Sequence, residues 1–447
     1  MTTAPRALIA HAWGRVERFA IGHWSIITVI LVAVAYMATV TLLHDQTMSE
    51  RDEWGFLDYI AKVYSQGIVH EGETYGQAAL QQMACHGIIP HGVLGAACAS
   101  GQLDPALFPY QGVNSAAAYP PFQFWFTRVA GDAIALLPGV SPLAGYRLVG
   151  ILWLSGGLIV LYRLARALRL GHGPFLAVAL AFVASPLAYW SFSYVSTDAA
   201  SWFFGALILL LGVRLTQGRG RAWPLIVIAV IATLVKVTAI LALGLVLVYL
   251  VVRYIIRRRS GRPAAAALIW GPAIALAAAL AAQIAWMRLQ PLLRVSDTGV
   301  DQGISYGLTP PALLQQFSNF LQHTMGTGID VSVAQTYLYL PLGWIPIVGV
   351  VGSIFLLRRG SRDVALTIAV AIAAVLAAPV MAVVFQLVTG SYFSIPPRYG
   401  IVILPGMLLM AMQLIRNRTT VWIVSGYALV VMVYGISLSA ELARLYP

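Results

Sequence analysis

The chain has 447 residues, of which 60% are hydrophobic and only 10% charged, and its mean hydropathy is +0.81. A soluble domain carries about 25% charged residues, so this composition excludes a soluble protein and indicates an integral membrane protein. The net charge of +12 does not point to nucleic acid, because the charge follows the order of apolar segments along the chain.

Arg6, Arg15 and Arg18 precede the first apolar segment. Further clusters follow at Arg163, Arg166 and Arg169, at Arg214, Arg219 and Arg221, and at Arg253, Arg257, Arg258, Arg259 and Arg262. The last two are Arg358, Arg359 and Arg362, then Arg416 and Arg418. These 19 of the 28 basic residues sit in short connectors, and only Glu17 and Asp363 among the acids share their side. Basic short loops mark the cytoplasmic face. The N-terminus is therefore expected inside and the acidic loops outside.

A helix needs about 20 apolar residues to cross the hydrocarbon core. The expected spans are 21–43, 144–166, 174–194, 197–213, 223–235, 238–256, 264–287, 336–357, 364–387, 400–415 and 420–440, about eleven in all. The pair around Lys236 reads either as two helices or as one bent helix. This divides the chain into a cytoplasmic N-terminus (1–20), a first span (21–43) and an outer loop (44–143). Spans at 144–287, a second outer loop (288–335) and C-terminal spans (336–447) complete it. Residues 21–43 are too long for a signal-peptide core and lack a small-residue cleavage site, so they read as a retained anchor.

The first outer loop opens with SERDEWGFLDYIAKVYSQG. Residues 53–66 put Phe56, Leu57, Ile60, Val63 and Tyr64 on one helical face, as expected of a helix lying on the membrane surface. Residues 67–118, rich in Gly, His, Gln and Ala, read as irregular loop. The segment 119–137, YPPFQFWFTRVAGDAIALL, carries Arg128 and Asp132 and reads as a surface or re-entrant helix. The second loop holds Arg288, Arg294, Asp297, Asp301 and Asp330 without an expected helix.

Cys85 and Cys98 are the only cysteines and share the first loop. An oxidising outer compartment favours a disulfide between them; two free buried thiols is the other reading. His70, His86 and His91 also lie there, without the i, i+4 spacing and supporting acid of a helical zinc site.

Few residues in so apolar a chain can carry chemistry. Asp52 and Glu53 stand just outside the first span, where a carboxylate could take a proton from an incoming hydroxyl. The plain alternative is a capping box, Ser49 with Asp52 three residues on. Lys236 is one of two lysines and lies in IATLVKVTAIL; a cation so placed has an anionic partner or snorkels to the headgroups. Arg398, in SIPPRYGIVILPG, has the rigid fork of donors that suits phosphate, or anchors the headgroup region beside Tyr399. Asp198 closes PLAYWSFSYVSTD at the outer end of a span, where it could cap the next helix.

In order along the chain, these segments resemble the polyprenyl-phosphate-dependent glycosyltransferases of the GT-C class, in particular the branch of aminoarabinose transferases and protein O-mannosyltransferases. DEWGFLDYIAKVYSQG is similar to that branch's first-loop signature, and YPPFQFWF to its proline-pair segment. GYRLVGIL with YRLARAL, VASPLAYWSFSYVSTD, IATLVKVTAIL and PRYGIVILPGMLLMA resemble its later spans and turns. Together they cover about four-fifths of the chain. Tyr119 stands where the aminoarabinose branch usually has Lys, Trp54-Gly55-Phe56 replaces a His-Arg-Tyr-like run, and no large soluble C-terminal domain follows the last span.

The resemblance implies an all-α bundle of GT-C type, set in the plasma (inner) membrane with its catalytic loop on the outer face. It implies a donor sugar on an outward-facing polyprenyl phosphate, and a hydroxyl acceptor on an envelope glycan, glycolipid or protein. Transfer would be a single inverting displacement. Asp52 would be the base, and Glu53 would orient the acceptor or Asp52. Lys236, Arg398, Arg288 and Arg294 would hold the donor phosphate, and Tyr119, Arg128, Asp198 and Tyr399 would line the cavity. No cofactor is implied with certainty; some relatives use a divalent cation, while the Asp-Glu pair here is not a DxD arrangement. Two rival readings stand beside it. A lipid or sugar-lipid transporter should show repeats and interrupted midplane helices, and no repeat is visible. A scaffold for envelope assembly needs neither.

Overall fold

The computed structural model describes residues 4–43, 46–89, 91–98, 101–261, 267–297, 307–326, 333–359, 363–390 and 392–445. The expected Asp301 and Asp330 of the second loop lie outside them. Sixteen α-helices occur among the described residues. They are α1 (Ala4–Leu43), α2 (Glu53–Gln66), α3 (Gln77–Cys85), α4 (Phe122–Ile134), α5 (Pro142–Ala167), α6 (His172–Val183), α7 (Pro186–Phe192), α8 (Thr197–Thr216), α9 (Ala222–Val235), α10 (Ala239–Arg259), α11 (Ala267–Leu292), α12 (Pro310–His323), α13 (Val333–Arg359), α14 (Val364–Thr389), α15 (Leu404–Leu414) and α16 (Arg418–Leu445). The strands β1 (Met48–Ser49) and β2 (Ile88–Ile89) pair in parallel inside the first loop.

The protein is an all-α, multi-span membrane protein. Eight helices among the described residues, α1, α5, α8, α10, α11, α13, α14 and α16, are long and apolar enough to cross a bilayer. The bent pair α6–α7, which turns by 65°, makes a ninth if counted as one span. The remaining two expected spans, 223–235 and 400–415, are only the short apolar helices α9 and α15. At 14 and 11 residues they reach roughly 21 Å and 17 Å, well short of a hydrocarbon core of about 30 Å. The expected count of about eleven is therefore not confirmed among the described residues.

The short helices stop for local reasons. The backbone at Lys236 turns extended (φ −156°, ψ 129°) and ends α9. α15 is preceded by a 3-10 turn, Pro397–Val402, with prolines at its start. Between α6 and α7 the chain breaks at Ser185, whose hydroxyl accepts the Ala188 N–H, with Pro186 in the first turn, a placement that costs no helical hydrogen bond. A bilayer cannot satisfy open backbone groups, so such breaks persist only where protein surrounds them.

Two glycines let the broken segments pack close to whole helices. A Cβ on Gly150 of α5 would stand 2.3 Å from the Phe192 carbonyl oxygen, and one on Gly205 of α8 2.2 Å from that of Val402. Both contacts are closer than any side chain allows, which is the use of small residues in membrane helix packing. They seat the Phe192–Ser196 stretch on α5 and the 3-10 turn on α8.

The first loop folds into a cap with two small cores. One gathers Met48, Trp54, Tyr75, Leu80, Met83 and Phe108; the other gathers Phe56, Tyr59, Ile60, Val63 and Phe124. α2 lies between them and packs against both. Tyr64, expected on its apolar face, is exposed and instead donates to Asp132 at 3.1 Å. The stretch 67–118 is also more ordered than its composition suggests, since α3, β2 and three 3-10 turns lie in it. Cys85, at the end of α3, is disulfide-bonded to Cys98, with 4.7 Å between the Cα atoms. In the second loop, α12 begins at a Thr309 cap followed by Pro310.

The cap's cysteines give a direct test. Protein taken from membranes without reductant should yield a Cys85–Cys98 linked peptide pair by mass spectrometry, with neither thiol alkylated until reduction. Two thiols alkylated in the native protein would place the cap in a reducing compartment.

Candidate functional site

The charged residues near the outer ends of the expected spans meet where the chain breaks. Asp52 precedes α2, Asp198 lies in the first turn of α8, Lys236 ends α9, and Arg398 rides the 3-10 turn before α15. Arg398 Nη2 donates to Asp52 Oδ2 at 3.0 Å. Its Nε lies 3.5 Å from Asp198 Oδ2, a charge contact too long for a hydrogen bond. Lys236 Nζ donates to Asp198 Oδ1 at 2.5 Å, and the same ammonium stands 4.4 Å from the centre of the Tyr399 ring.

The cluster is graded from closed to open. The Asp198 and Lys236 side chains are 4% and 5% exposed, those of Arg398 and Asp52 18% and 34%. The inner pair is the fixed part, and Asp52 is the group that a solute can reach. α12 holds the segment before Arg398. Gln316 Oε1 accepts from the Tyr392 hydroxyl and the Ile395 N–H, while Gln316 Nε2 donates to the Ile395 carbonyl, all within 2.7–2.8 Å.

Asp52 has left-handed backbone (φ 63°, ψ 13°) and makes no side-chain cap bond to α2. The capping-box reading is therefore wrong in register. It is Glu53 whose Oε2 accepts the Ser49 N–H, at 2.9 Å. Left-handed backbone in a non-glycine residue is strained and persists only when its surroundings impose it. Here they do. Glu53 is fully buried, and Arg147 of α5 donates to both its oxygens, from Nε at 2.8 Å and Nη2 at 3.0 Å. The Val195 N–H donates to Glu53 Oε1 at 2.9 Å, and Arg147 Nη2 also donates to the Thr47 carbonyl. Glu53 thus ties three segments together beneath Asp52. Both its oxygens are engaged and none of its surface is exposed.

Arg51 is the residue that sequence reasoning missed. Its guanidinium lies 5.6 Å from the Trp190 ring centre and forms no ion pair among the described residues. Burial and the nearby Arg398 cation pull its pKa down to about 10, against the opposite pull of Glu50, Asp198 and Asp52. Arg398 differs. Burial lowers it, but the Asp198 and Asp52 carboxylates more than offset this and hold it above its usual range. Three cations (Arg51, Lys236, Arg398) thus stand among three carboxylates (Glu50, Asp52, Asp198). Tyr119 and Tyr399 complete the wall. Burial pushes the Tyr399 phenol up to about 12 and Tyr119 well above its ordinary value, so both are neutral donors near pH 7.

Other expected site residues fall elsewhere. Arg128 pairs with Asp132 at 2.9 Å and lies over the Tyr64 ring. Arg294 pairs with Glu71 at 2.6 Å, and Arg288 is exposed on α11. Among the described residues, no hydrogen bond or ion pair links any of these three to Asp52, Asp198, Lys236 or Arg398. Each is already served locally by solvent or an acid. The end of α11 does contribute in another way. Trp286 donates to the Ala118 carbonyl at 3.0 Å, and Gln290 to that of Ala117, which secures the chain just before Tyr119. Among the described residues, no three His, Cys, Asp or Glu side chains gather as a metal site.

No family model matches the chain, and no curated protein matches it in sequence. Among solved structures, it is similar to ArnT from Cupriavidus metallidurans bound to undecaprenyl phosphate, at 18% identity and a TM-score of 0.48, over 92% of this chain and 63% of that one. The apo state of the same protein gives 15% identity and a TM-score of 0.46, over 95% and 73% of the two chains. The apo Archaeoglobus fulgidus oligosaccharyltransferase gives 12% and 0.45, over 95% and 56%. Both proteins are GT-C glycosyltransferases. The chain spans less than two thirds of the length of the undecaprenyl-phosphate-bound and archaeal structures.

Glu53 should behave as a structural residue. Glu53→Gln leaves Arg147 charged and buried without its anion, a loss on the order of 3–5 kcal/mol. The thermal midpoint of the detergent-purified protein should fall clearly below that of Asp52→Asn, which removes only the partly exposed carboxylate. Equal midpoints for the two variants would show that Glu53 does not hold the site.

Proposed function

We propose that this protein is a membrane glycosyltransferase that moves a sugar from a polyprenyl-phosphate donor to a hydroxyl of an envelope glycan, glycolipid or protein. The reading places the N-terminus in the cytoplasm of a cell whose plasma membrane holds the bundle, with the cap outside. The observation that carries it is the accessible, strained Asp52 beside three cations and two neutral phenols, at the foot of an extramembrane cap.

Each part has a task in such a transfer. The acceptor oxygen attacks the anomeric carbon while Asp52 removes its proton. The bond from that carbon to the phosphate oxygen breaks, and its electron pair leaves with the phosphate. The leaving group therefore gains negative charge, and fixed cations aimed at developing charge are usually the largest catalytic term. Arg398 suits this role because its fork carries more N–H donors than Asp52 and Asp198 use. Arg51, without an ion pair among the described residues and held at a lowered pKa by burial and its cationic neighbour, gains when an anion arrives. Asp198 keeps Lys236 in place for the same phosphate. Tyr119 and Tyr399 can donate to phosphate or sugar oxygens. A single displacement of this kind inverts the anomeric centre.

Purified protein assayed with a panel of polyprenyl-phosphate sugars tests the assignment. Asp52→Asn should keep the fold, because Asn tolerates left-handed backbone, and should lose at least about 100-fold in kcat. Undiminished transfer by this variant would reject Asp52 as the base. Saturable transport into liposomes with no transfer by either form would favour the transporter.

Arg51→Gln separates phosphate binding from proton transfer. Because Arg51 has no ion pair to lose, its thermal midpoint should stay near wild type. Its kcat/KM should fall by about tenfold to a hundredfold, the worth of one charge-assisted contact of roughly 1.5–3 kcal/mol. An unchanged kcat/KM would remove Arg51 from the donor site.

A further inference from the structure

The opposite end of the bundle holds a second cationic cavity that the transfer reaction does not use. It has a volume of about 710 Å³, within the roughly 300–1,000 Å³ usual for small-molecule sites. Arg163 and Arg166 enter it from the end of α5, Arg214 and Arg219 from the end of α8 and the turn beyond, with His23 and Tyr162 beside them. None of the described residues that line it is acidic. Asp198 begins α8 and Arg214 nearly ends it, so 16 residues of helix, roughly 24 Å, separate this cavity from the Asp52 cluster.

Basic residues at helix ends have an ordinary explanation, since the last carbonyls of a helix carry partial negative charge. Two helix ends supply roughly −0.5 each, about one unit against four full cations. Nor does the protein neutralise the remainder. Arg166 donates to the Leu170 carbonyl at 3.0 Å, but the side chains of Arg163, Arg214 and Arg219 form no ion pair or hydrogen bond among the described residues. A loop bias toward Arg would also spread cations over a surface, whereas these four converge on one concavity. A guanidinium fork binds phosphate oxygens bidentately, and a phosphate, with several oxygens in a tetrahedral arrangement, can answer more than one convergent guanidinium.

We propose that this cavity binds a phosphate-bearing anion, either the headgroup of an anionic lipid in the leaflet at that end or a soluble phosphate compound. The inference is independent of the activity proposed for the Asp52 cluster. It predicts a binding site whose occupancy is set by Arg163, Arg166, Arg214 and Arg219 rather than by the chain's net charge.

Native mass spectrometry of the full chain in neutral detergent can read it, with short-chain phosphatidylglycerol, short-chain phosphatidylcholine and inorganic pyrophosphate as probes. The wild type should retain an anionic probe in preference to phosphatidylcholine. Arg163→Gln with Arg214→Gln should weaken retention at least about tenfold, while Arg258→Gln with Arg259→Gln, which removes equal charge from the end of α10, should not. Retention of the lipid alone identifies a headgroup as the source, and retention of pyrophosphate identifies soluble phosphate. The proposal is overturned if the wild type retains neither anion, or if both double variants lose retention equally. Should the first double variant prove unstable, Arg219→Gln in the exposed turn carries the test; an unchanged retention there overturns the proposal as well.

Discussion

The geometry of the Asp52 cluster depends on an ion pair that touches no part of it. Glu53 and Arg147 have no exposed side-chain surface, and burying two charges costs several kcal/mol per ion unless each is paired and hydrogen-bonded. Both conditions are met, and meeting them fixes position. The Ser49 and Val195 amides, the Thr47 carbonyl and α5 must all come to the pair. Asp52, the next residue, is left with little freedom and takes left-handed backbone as the consequence. A carboxylate held in this way loses little further entropy when it engages a substrate, which is the physical value of preorganisation.

The same logic explains why the cluster forms at helix breaks. A continuous transmembrane helix presents side chains around a cylinder and keeps its backbone satisfied, so it has little reason to bring charge inward. Where α7 gives way to α8, α9 ends at Lys236, and a 3-10 turn precedes α15, the chain turns a charged residue toward its neighbours. Each break is costly in lipid. Each is placed against whole helices, through Gly150 and Gly205 or through Gln316 of α12, so that protein supplies what lipid cannot. Irregular backbone and buried charge thus support one another. The breaks aim the charges, and the paired charges hold the broken ends together.

Much of the all-α membrane architecture was legible in the sequence, because apolar length and basic connectors carry it. So were several members of the cluster. Lys236 and Asp198 are lone charges beside long apolar runs, and such residues need partners. Their pairing was not legible, since 38 residues separate them. Arg147 gave the same signal, a charge inside the second span, and passed unnoticed because its segment was read as a whole. Arg51 was hidden within a capping pattern whose true register is one residue later. Arg128, Arg288 and Arg294 were drawn into the site by charge and side of the membrane alone, although the i, i+4 spacing of Arg128 and Asp132 already indicated a local partner. α3 and α12 were missed for lack of a strong apolar period, although Thr309 before two prolines was a usable start signal.

The two ends of α8 show how one residue type comes to mean different things. At its start, Arg398 is shared between two carboxylates and mostly buried, and with Arg51 and Lys236 it is answered by Glu50, Asp52 and Asp198. Such a site is stable empty and gains a moderate increment when one anion enters, a balance suited to a substrate that must also leave. At the far end, Arg163, Arg214 and Arg219 have no acid among the described residues to answer them, and water and ions must screen them whenever the cavity is vacant. Four cations against roughly one unit of helix-end charge favour continuous occupancy over exchange. A turnover site and a resident-anion site can therefore be told apart by how much of the charge the protein itself has already neutralised.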